Sequence, residues 1–466
     1  MHRLVAVSNR VSVPKHGTAP GGLAIGLLSA MRARGGLWFG WNGEIADGAT
    51  GSPEVTRRDG ITYATLDLGR REYEDYYLGF SNAILWPLFH YFVDGFHYSD
   101  EQYEAYRRVN QRLARELRPL LKPEDLVWVH DYHLLPLAQA LRENGVTQPL
   151  GLFLHIPFPG IEVFRILPMY GELLQAMLSY DVIGFQTESD LNGFRSVVTA
   201  LFGADAIRSD GTVVVGARSV RAEVFPIGVD VDAVQREAVE AQPSEICQRM
   251  VAGLLGRKLL IGVDRLDYSK GLVERFSAYE RFLETHPENL NRVTYLQIAP
   301  LSRTDLRAYS AIRRELEQAT GRTNGRFADT DWTPIRYLNR NFPHDVLMSF
   351  LRSALVGMVT PVRDGMNLVA KEFVAAQDAA DPGVLILSSL AGAARELTSA
   401  VQVNPYDTRG IAHAIQLAFT MPLAERRERH QALLEVLRRN DIHAWYSRFL
   451  DRLSAVCGNV AVRSAS

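Results

Sequence analysis

The feature that most limits the fold of this sequence is a repeated alternation of short apolar runs with amphipathic helical stretches. Such alternation is typical of β-α-β units, whose parallel strands are buried on both faces and are therefore apolar. In the first half of the chain the predicted strands are Arg3–Ser8, Leu37–Gly40, Leu126–His130, Gly151–His155 and Val182–Phe185. In the second half they are Lys258–Val263, Val293–Ile298, Ile335–Leu338, Leu355–Thr360 and Gly383–Leu387. The pattern predicts an α/β protein with two Rossmann-like domains that face one another.

The predicted domain boundary follows from chain length and from one polar stretch. A chain of 466 residues is longer than a single hydrophobic core usually supports. The stretch Asp230–Ile246 separates the two alternations. We predict an N-terminal domain over residues 1–235 and a C-terminal domain over residues 236–440. The tail over about 440–466 is expected to cross back onto the first domain as helices.

Composition and charge exclude several classes of protein. Hydrophobic residues make up 47% of the chain, charged residues 22%, and the net charge is −2. These values fit a soluble globular protein and disfavour nucleic acid as a partner. Two distant cysteines indicate neither a disulfide framework nor a zinc site. Without a signal-peptide core or an apolar run of about 18 residues, we expect a cytoplasmic protein with no membrane segment.

The residues Arg363 to Glu372, with the sequence RDGMNLVAKE, carry the strongest functional signal in the second half. They follow a predicted buried strand and lead into a predicted helix over Leu368–Gln377, so an anion is expected to bind at the helix N-terminus. Asp364 can accept hydrogen bonds from sugar hydroxyls, and Glu372 can reach a ribose 2′,3′-diol. Taken alone, the same run is also compatible with a solvated loop and an ordinary amphipathic helix.

A second cationic loop, with the sequence RLDYSKG from Arg265 to Gly271, follows the strand Lys258–Val263 and precedes a helix. Arg265 and Lys270 could bracket a diphosphate together with the N-terminus of that helix, through charge-assisted contacts worth about 1.5–3 kcal/mol each. Because a departing nucleoside diphosphate gains negative charge, the same cations would also be catalytic.

In the first half, the candidate ligands follow predicted strands. Arg10 suits a phosphate or phosphosugar, and the Gly21-Gly22 pair permits close approach of the backbone to a ligand. That loop lacks the GxGxxG spacing, which disfavours a dinucleotide-dependent dehydrogenase. Asp131 and His155 follow the next strands, at the edge where parallel sheets bind ligands.

The aromatic residues Tyr77 and Trp86 could form the wall of a sugar site, because sugars present apolar C–H faces. Both lie in what the sequence suggests is a polar loop. The segment HDYH over residues 130–133 could suggest a metal, but its spacing is not the i, i+4 spacing of a helical zinc site. We therefore predict no metal site.

Together these motifs resemble the trehalose-6-phosphate synthase family over nearly the whole chain. The residues that carry the resemblance are Ser8-Asn9-Arg10, Gly21-Gly22, Gly36–Trp41, His130–His133, His155–Pro159, Arg265–Gly271 and Arg363–Glu372. The resemblance implies a retaining glycosyltransferase of the GT-B fold, with its active site in a cleft between the two domains. Such an enzyme moves glucose from a nucleotide sugar to glucose 6-phosphate and gives α,α-1,1-linked trehalose 6-phosphate.

The resemblance also implies a role for individual residues. Those expected to bind the acceptor are Arg10, Tyr77, Trp86, Asp131 and Arg303. Those expected to bind the donor are Gly22, His155, Arg265, Lys270, Ile298, Phe342, Asp364, Leu368, Val369 and Glu372, with Ile298 and Phe342 near the base. Of these, His155, Asp131, Arg265, Lys270 and Asp364 are the predicted catalytic residues.

The implied mechanism is a front-face transfer without a carboxylate nucleophile, a metal or any cofactor. Several alternatives stay open: a donor with guanosine or adenosine, a pseudo-glycosyltransferase that joins cyclitols, or a sugar-phosphate binding protein. A catalytically silent subunit is disfavoured, since Arg265, Lys270, Asp364 and Glu372 are all present. The family resemblance also allows a homodimer or homotetramer.

Overall fold

The computed structural model describes residues 2–11, 13, 26–28, 30–32, 35–47, 51–301 and 307–463, with only the backbone at 307–308 and 457–463. The chain divides into two compact units. The first contains Met1–Ile227 and Ile442–Ser466, and the second contains Gly228–Asp441. The predicted boundary at residue 235 therefore falls inside the second unit, within the helix Val231–Glu240. None of the described helices is long and apolar enough to cross a membrane.

In the described part of the first unit, one nine-stranded sheet has the order β3-β4-β2-β1-β5-β6-β7-β9-β8. Its strands are β1 Leu4–Arg10, β2 Gly36–Ala46, β3 Glu54–Arg58, β4 Ile61–Gly69, β5 Leu126–His130, β6 Leu150–Phe153, β7 Val182–Phe185, β8 Thr212–Val215 and β9 Arg218–Val224. The two edge strands β3 and β8 run antiparallel to their neighbours, and the other pairs are parallel. The strand order reverses between β1 and β5.

The longer helices of the first unit before residue 228 are α1 Asp100–Leu117, α2 Leu137–Glu143, α3 Tyr170–Met177 and α4 Glu188–Phe202. A π-helical segment, Tyr73–Leu85, continues into a short helix, Trp86–Phe89. The prediction of a loop around Tyr77 and Trp86 is therefore wrong. The segment contains Gly79, Ser81 and Asn82, residue types that favour loops, but here they are buried within the helix. The strands β3 and β4 were also missed.

In the described part of the second unit, a six-stranded parallel sheet has the order β12-β11-β10-β13-β14-β15. Its strands are β10 Lys258–Val263, β11 Val293–Ile298, β12 Ile335–Leu338, β13 Val356–Val359, β14 Val384–Ser388 and β15 Val401–Val403. Its helices are α5 Val231–Glu240, α6 Glu245–Ala252, α7 Leu272–Thr285, α8 Arg307–Phe327, α9 His344–Arg352, α10 Leu368–Ala376, α11 Thr408–Thr420 and α12 Leu423–Arg439. This strand order is that of a Rossmann sheet, which binds ligands at the reversal between β10 and β13.

The final helix, α13 Ile442–Arg463, belongs to the first unit and packs on β5 and β7. The ring of Phe449 stacks on Trp128 of β5 with a centroid distance of 5.0 Å. A Cβ atom at Gly151 of β6 would lie 2.7 Å from the Phe449 ring, so glycine is required for this close contact. The helix therefore completes the core of the first unit.

We predict that Phe449→Ala destabilises the first unit. The side chain is fully buried, and removal of a buried phenylalanine ring costs about 3–5 kcal/mol. Chemical denaturation followed by tryptophan fluorescence measures the change. Asp451→Ala, an exposed position on the same helix, is the matched control and should stay within about 0.5 kcal/mol of the parent. Equal stability of Phe449→Ala and the parent would show that α13 is not part of this core.

Candidate active site

The carboxyl ends of β10 and β13 bring a lysine and an aspartate into contact. Lys270 Nζ lies 2.5 Å from Asp364 Oδ2, and each side chain is 13% exposed. Lys270 ends a 3-10 turn in which Asp267 Oδ1 accepts a hydrogen bond from Ser269 N at 2.9 Å. The next residue, Gly271, has φ 63°, and a Cβ atom there would meet Thr360 O at 2.3 Å. The turn after β10 is therefore fixed directly against the loop after β13.

A fully buried arginine, Arg275 of α7, holds this arrangement in place. Its Nη1 donates to Asp264 Oδ2 at 2.6 Å and to Gln297 Oε1 at 3.0 Å. Its Nε donates to Thr360 Oγ1 at 2.9 Å, and its Nη2 donates to the carbonyl oxygen of Lys270 at 3.2 Å. One guanidinium thus connects residues at or just beyond the ends of β10, β11 and β13. Sequence reasoning missed Arg275, because a single arginine in a helix gives no local signal of burial.

The N-terminus of α10 lies beside the same pair. Asn367 caps the helix with φ 79°, and its Oδ1 accepts from Ala370 N at 3.3 Å. Its Nδ2 donates to Asp364 Oδ2 at 3.0 Å. The N–H groups of Leu368 and Val369 have no acceptor within the helix, because first-turn amides lie beyond the helical bonding pattern. A lysine, a helix N-terminus and a carboxylate suit a diphosphate joined to a sugar.

Further along α10, Glu372 belongs to a charged cluster of three helices. His344, the first residue of α9, places Nε2 3.5 Å from Glu372 Oε1 and Nδ1 2.6 Å from Glu237 Oε2 of α5. Burial alone would lower the pKa of His344, but the two carboxylates outweigh it and raise the pKa to about 10. Glu372 therefore faces an imidazolium at neutral pH.

In the first unit, Arg10 and Tyr77 lie around the ring of Trp41. Arg10 is exposed at the end of β1, with its guanidinium carbon 5.8 Å from the Trp41 ring centroid. The half-buried ring of Tyr77 contacts Trp41 edge-on at 5.2 Å and stacks on Tyr73 at 5.5 Å. Trp86 is buried, against His90 at 4.2 Å. An exposed cation with aromatic rings around it suits a phosphosugar.

Asp131 and His155 meet at the carboxyl ends of β5 and β6. Asp131 adopts φ 75°, an uncommon conformation for a non-glycine residue, and its Oδ1 accepts from His155 N at 3.2 Å. His155 Nε2 lies 3.1 Å from His130 Nδ1. Burial lowers the pKa of His155 to about 3, and burial also lowers that of His130. Both rings are therefore neutral at pH 7.

The tautomers of this histidine pair follow from hydrogen bonding. Within the described residues, Nε2 of His130 is buried and has no hydrogen-bond partner. A buried N–H without an acceptor is costly, so the proton of His130 belongs on Nδ1, which donates to His155 Nε2. His155 then carries its own proton on Nδ1 and can donate it to a ligand oxygen.

Comparison with known proteins identifies the family. The model of glycosyltransferase family 20 matches residues 7–455. The chain belongs to glycosyltransferase family 20. It is a retaining hexosyltransferase of the GT-B fold. A trehalose-6-phosphate synthase of Klebsiella pneumoniae is 49% identical over 457 residues, which cover 98% of this chain and 96% of that protein.

Solved structures of family 20 glycosyltransferases are equally similar. The α,α-trehalose-phosphate synthase (UDP-forming) of Burkholderia vietnamiensis has a TM-score of 0.94 and 50% identity, with 98% of this chain and 99% of that chain covered. The enzyme of Burkholderia xenovorans in complex with glucose-6-phosphate has a TM-score of 0.93 and 47% identity, with coverage of 97% and 100%. An E. coli relative bound with UDP-2-fluoro glucose has a TM-score of 0.90 and 46% identity, with coverage of 97% and 98%.

Of the other residues predicted to bind substrate, the structure describes three and leaves two outside its described range. Gly22 and Arg303 lie outside the described residues. Arg265 is exposed directly after β10, near Lys270 along the chain. Ile298 is buried at the end of β11, and its carbonyl oxygen accepts from Asp264 N at 3.0 Å. Phe342 is half-buried, with the guanidinium carbon of Arg340 4.4 Å from its ring centroid.

Among the described residues, no group of three or more histidine, cysteine, aspartate and glutamate side chains could hold a metal ion. Among the described residues, the cations near the carboxyl ends of the strands in the second unit include Arg265, Lys270 and His344. Lys270 and His344 each face carboxylates, whereas the N-terminus of α10 supplies a positive helix-dipole end that suits an anion.

We predict that Arg275→Met lowers the free energy of unfolding of the second unit by about 3–5 kcal/mol at pH 8, because it leaves the buried Asp264 carboxylate unpaired. Burial already raises the pKa of Asp264, and loss of the arginine raises it further. A carboxyl group whose pKa is higher in the folded than in the unfolded protein destabilises the folded state more as the pH rises. The loss of unfolding free energy in Arg275→Met should therefore be smaller at pH 5 than at pH 8.

The double variant Arg275→Met/Asp264→Asn is the matched control, because it removes both charges. Its unfolding free energy should exceed that of Arg275→Met at pH 8, and its deficit should not depend on pH between 5 and 8. Denaturant titrations of the three proteins at both pH values provide the measurement. A pH-independent loss in Arg275→Met would contradict the assigned role of Asp264.

Proposed function

We propose that the protein transfers glucose from UDP-glucose to glucose 6-phosphate with retention, and releases α,α-trehalose 6-phosphate and UDP. The observation that carries this proposal is the contact of Lys270 Nζ with Asp364 Oδ2 beside the N-terminus of α10. It gives one site a cation and free amides for a diphosphate, and a carboxylate for sugar hydroxyls. The UDP-forming relative and the relatives bound with glucose-6-phosphate and UDP-2-fluoro glucose support the choice of substrates.

The donor would occupy the carboxyl edge of the second unit. Lys270 and Arg265 would take the diphosphate with the amides of Leu368 and Val369. Asp364, which contacts Lys270, would accept hydrogen bonds from the glucose hydroxyls. Glu372 would accept those of the ribose. The base would lie near Ile298 and Phe342.

The acceptor would occupy the carboxyl edge of the first unit. The exposed guanidinium of Arg10 would bind the phosphate of glucose 6-phosphate. Arg303, which lies outside the described residues, stays a predicted second ligand of that phosphate. Tyr77 would contact the sugar, and Trp86, itself buried, would support that wall. Asp131 would accept a hydrogen bond from a ring hydroxyl of the acceptor. His155, neutral and with its proton on Nδ1, would donate to a hydroxyl oxygen of donor glucose.

We infer a front-face mechanism that needs neither a metal nor a cofactor. The bond from the anomeric carbon to the diphosphate oxygen breaks, and the bond to the acceptor oxygen forms on the same face. The acceptor proton passes to the departing phosphate oxygen, so all atoms balance without a further reactant. Lys270, Arg265 and the helix N-terminus would stabilise the charge that develops on the diphosphate.

We predict the highest kcat/KM with UDP-glucose when UDP-, GDP- and ADP-glucose are each supplied with glucose 6-phosphate. Coupled detection of the released nucleoside diphosphate gives the rates. Proton NMR of the product identifies the α,α-1,1 linkage through its two anomeric couplings. No trehalose phosphate from any of the three donors would refute the proposal. A faster reaction with GDP-glucose would refute only the choice of base.

We predict that Lys270→Ala lowers kcat/KM by about 10- to 100-fold, since it removes one charge-assisted contact to the diphosphate. Lys258→Ala is the matched control, because Lys258 is exposed at the opposite end of the same strand, β10. The control should stay within about twofold of the parent. Full turnover of Lys270→Ala in the same assay would show that the diphosphate binds elsewhere.

A further inference from the structure

We propose that His344 is a positioning residue for binding of the nucleotide ribose. Its imidazole connects Glu237 to Glu372 and orients the Glu372 carboxylate for the ribose 2′,3′-diol. This inference rests on the proposed function, in which Glu372 binds the ribose of UDP-glucose. Neither Glu237 nor His344 belongs to a sequence motif that the function already uses. The bridge therefore adds two residues to the donor site.

The geometry of the bridge comes from three helices that pack on one another, α5, α9 and α10. His344 Nδ1 lies 2.6 Å from Glu237 Oε2, which is a direct hydrogen bond. His344 Nε2 lies 3.5 Å from Glu372 Oε1, which is an ion-pair distance. The Glu372 side chain is 12% exposed, so its carboxylate is largely enclosed and still open to a ligand. Because the contact with Nε2 is long, the lone pairs of Glu372 stay available to ribose hydroxyls.

The charge state of His344 fits a bridge between two acceptors. An imidazolium donates from both ring nitrogens, whereas a neutral imidazole donates from only one. With its pKa raised to about 10, His344 is an imidazolium at neutral pH and can face both carboxylates at once. In the wild-type protein the Glu372 carboxylate therefore faces a cation before any nucleotide arrives.

The position of His344 is not explained by helix stability. It is the first residue of α9, where the positive end of the helix dipole disfavours a cation. Other charged groups near it are engaged elsewhere or exposed. Glu245 and Arg249 of α6 lie 3.6 Å from each other, and Asp345 of α9 is exposed. On α10, Lys371 pairs with Glu396 at 2.5 Å.

The functional consequence is preorganisation. A glutamate has three rotatable side-chain bonds, and fixing such a side chain on binding costs about 0.5–1.5 kcal/mol. The bridge fixes the Glu372 side chain before the ligand binds. Its loss should therefore weaken only those ligands that use the diol, which separates this role from a structural one.

The test compares UDP with 2′,3′-dideoxy-UDP by calorimetry in the wild-type protein, His344→Gln and Glu372→Gln. We expect the wild type to bind UDP about tenfold more tightly than the dideoxy analogue. In His344→Gln that ratio should fall to about threefold or less, while the affinity for the analogue stays within twofold. Glu372→Gln should bring the affinities for UDP and for the dideoxy analogue close to one another. His413→Gln, an exposed histidine on α11, is the matched control and should keep the wild-type ratio.

A second variant, Glu237→Gln, leaves His344 and Glu372 intact and removes one of the carboxylates that raise the pKa of His344. The protonated histidine holds Glu372, so the effect is present below the folded pKa and is lost as the pH rises through it. UDP affinity of Glu237→Gln should therefore fall between pH 7 and 9, a range in which the wild type stays constant. Affinity for the dideoxy analogue should show no such extra fall in the variant.

The outcomes separate this inference from the function on which it rests. If His344→Gln weakens UDP and its analogue equally, or if the affinity of Glu237→Gln has the wild-type pH profile, His344 has no role at the ribose. If the wild type makes trehalose 6-phosphate but binds the two nucleotides equally, the inference is overturned and the proposed function stands. If the wild type makes no trehalose phosphate, both are overturned.

Discussion

The arrangement of the proposed donor site depends on a guanidinium that has no contact with solvent. Arg275 is fully buried, and a buried charge is tolerated only when it is paired and hydrogen-bonded. Its partners at the ends of β10, β11 and β13 satisfy it from three directions. Because the same group donates to the carbonyl oxygen of Lys270, the backbone of the turn proposed to bind the diphosphate is fixed by the core of the domain. The position of Lys270 thus follows from burial of a neighbouring charge.

Both units place their polar side chains by the same topological rule. Parallel strands end at one edge, and the chain leaves that edge in opposite directions where the strand order reverses. In the first unit the reversal lies between β1 and β5. Arg10 at the end of β1 and Asp131 just after β5 therefore lie on neighbouring strands. In the second unit it lies between β10 and β13. Asp131 and Asn367 both adopt positive φ angles at these edges, where a stable sheet can support uncommon backbone conformations.

Local patterns in the sequence predicted much of this architecture, and long-range contacts account for what they missed. Continuous apolar runs indicated β5, β7, β10, β11 and β12 at their observed bounds, because buried parallel strands leave little choice of residue. Lys270 and Asp364 could be singled out as candidates because each lies in the loop that follows a predicted strand, and Glu372 because it lies in the helix after the second of these loops. Glu237, Arg275 and His344 could not, since their contacts are to residues distant in sequence. For His130 the sequence contains the motif but does not indicate the contact with His155. Trp86 was placed in a loop because Gly79, Ser81 and Asn82, which precede it, are residue types that favour loops, although here they are buried in a helix.

The central claim is that the carboxyl edge of the second unit is the nucleotide-sugar site. A crystal structure of the protein with UDP bound tests it most directly. The account predicts the diphosphate within hydrogen-bond distance of Lys270 Nζ and the amides of Leu368 and Val369, with the ribose hydroxyls on Glu372. A diphosphate bound away from β10 and β13, or a ribose without contact to Glu372, would contradict it.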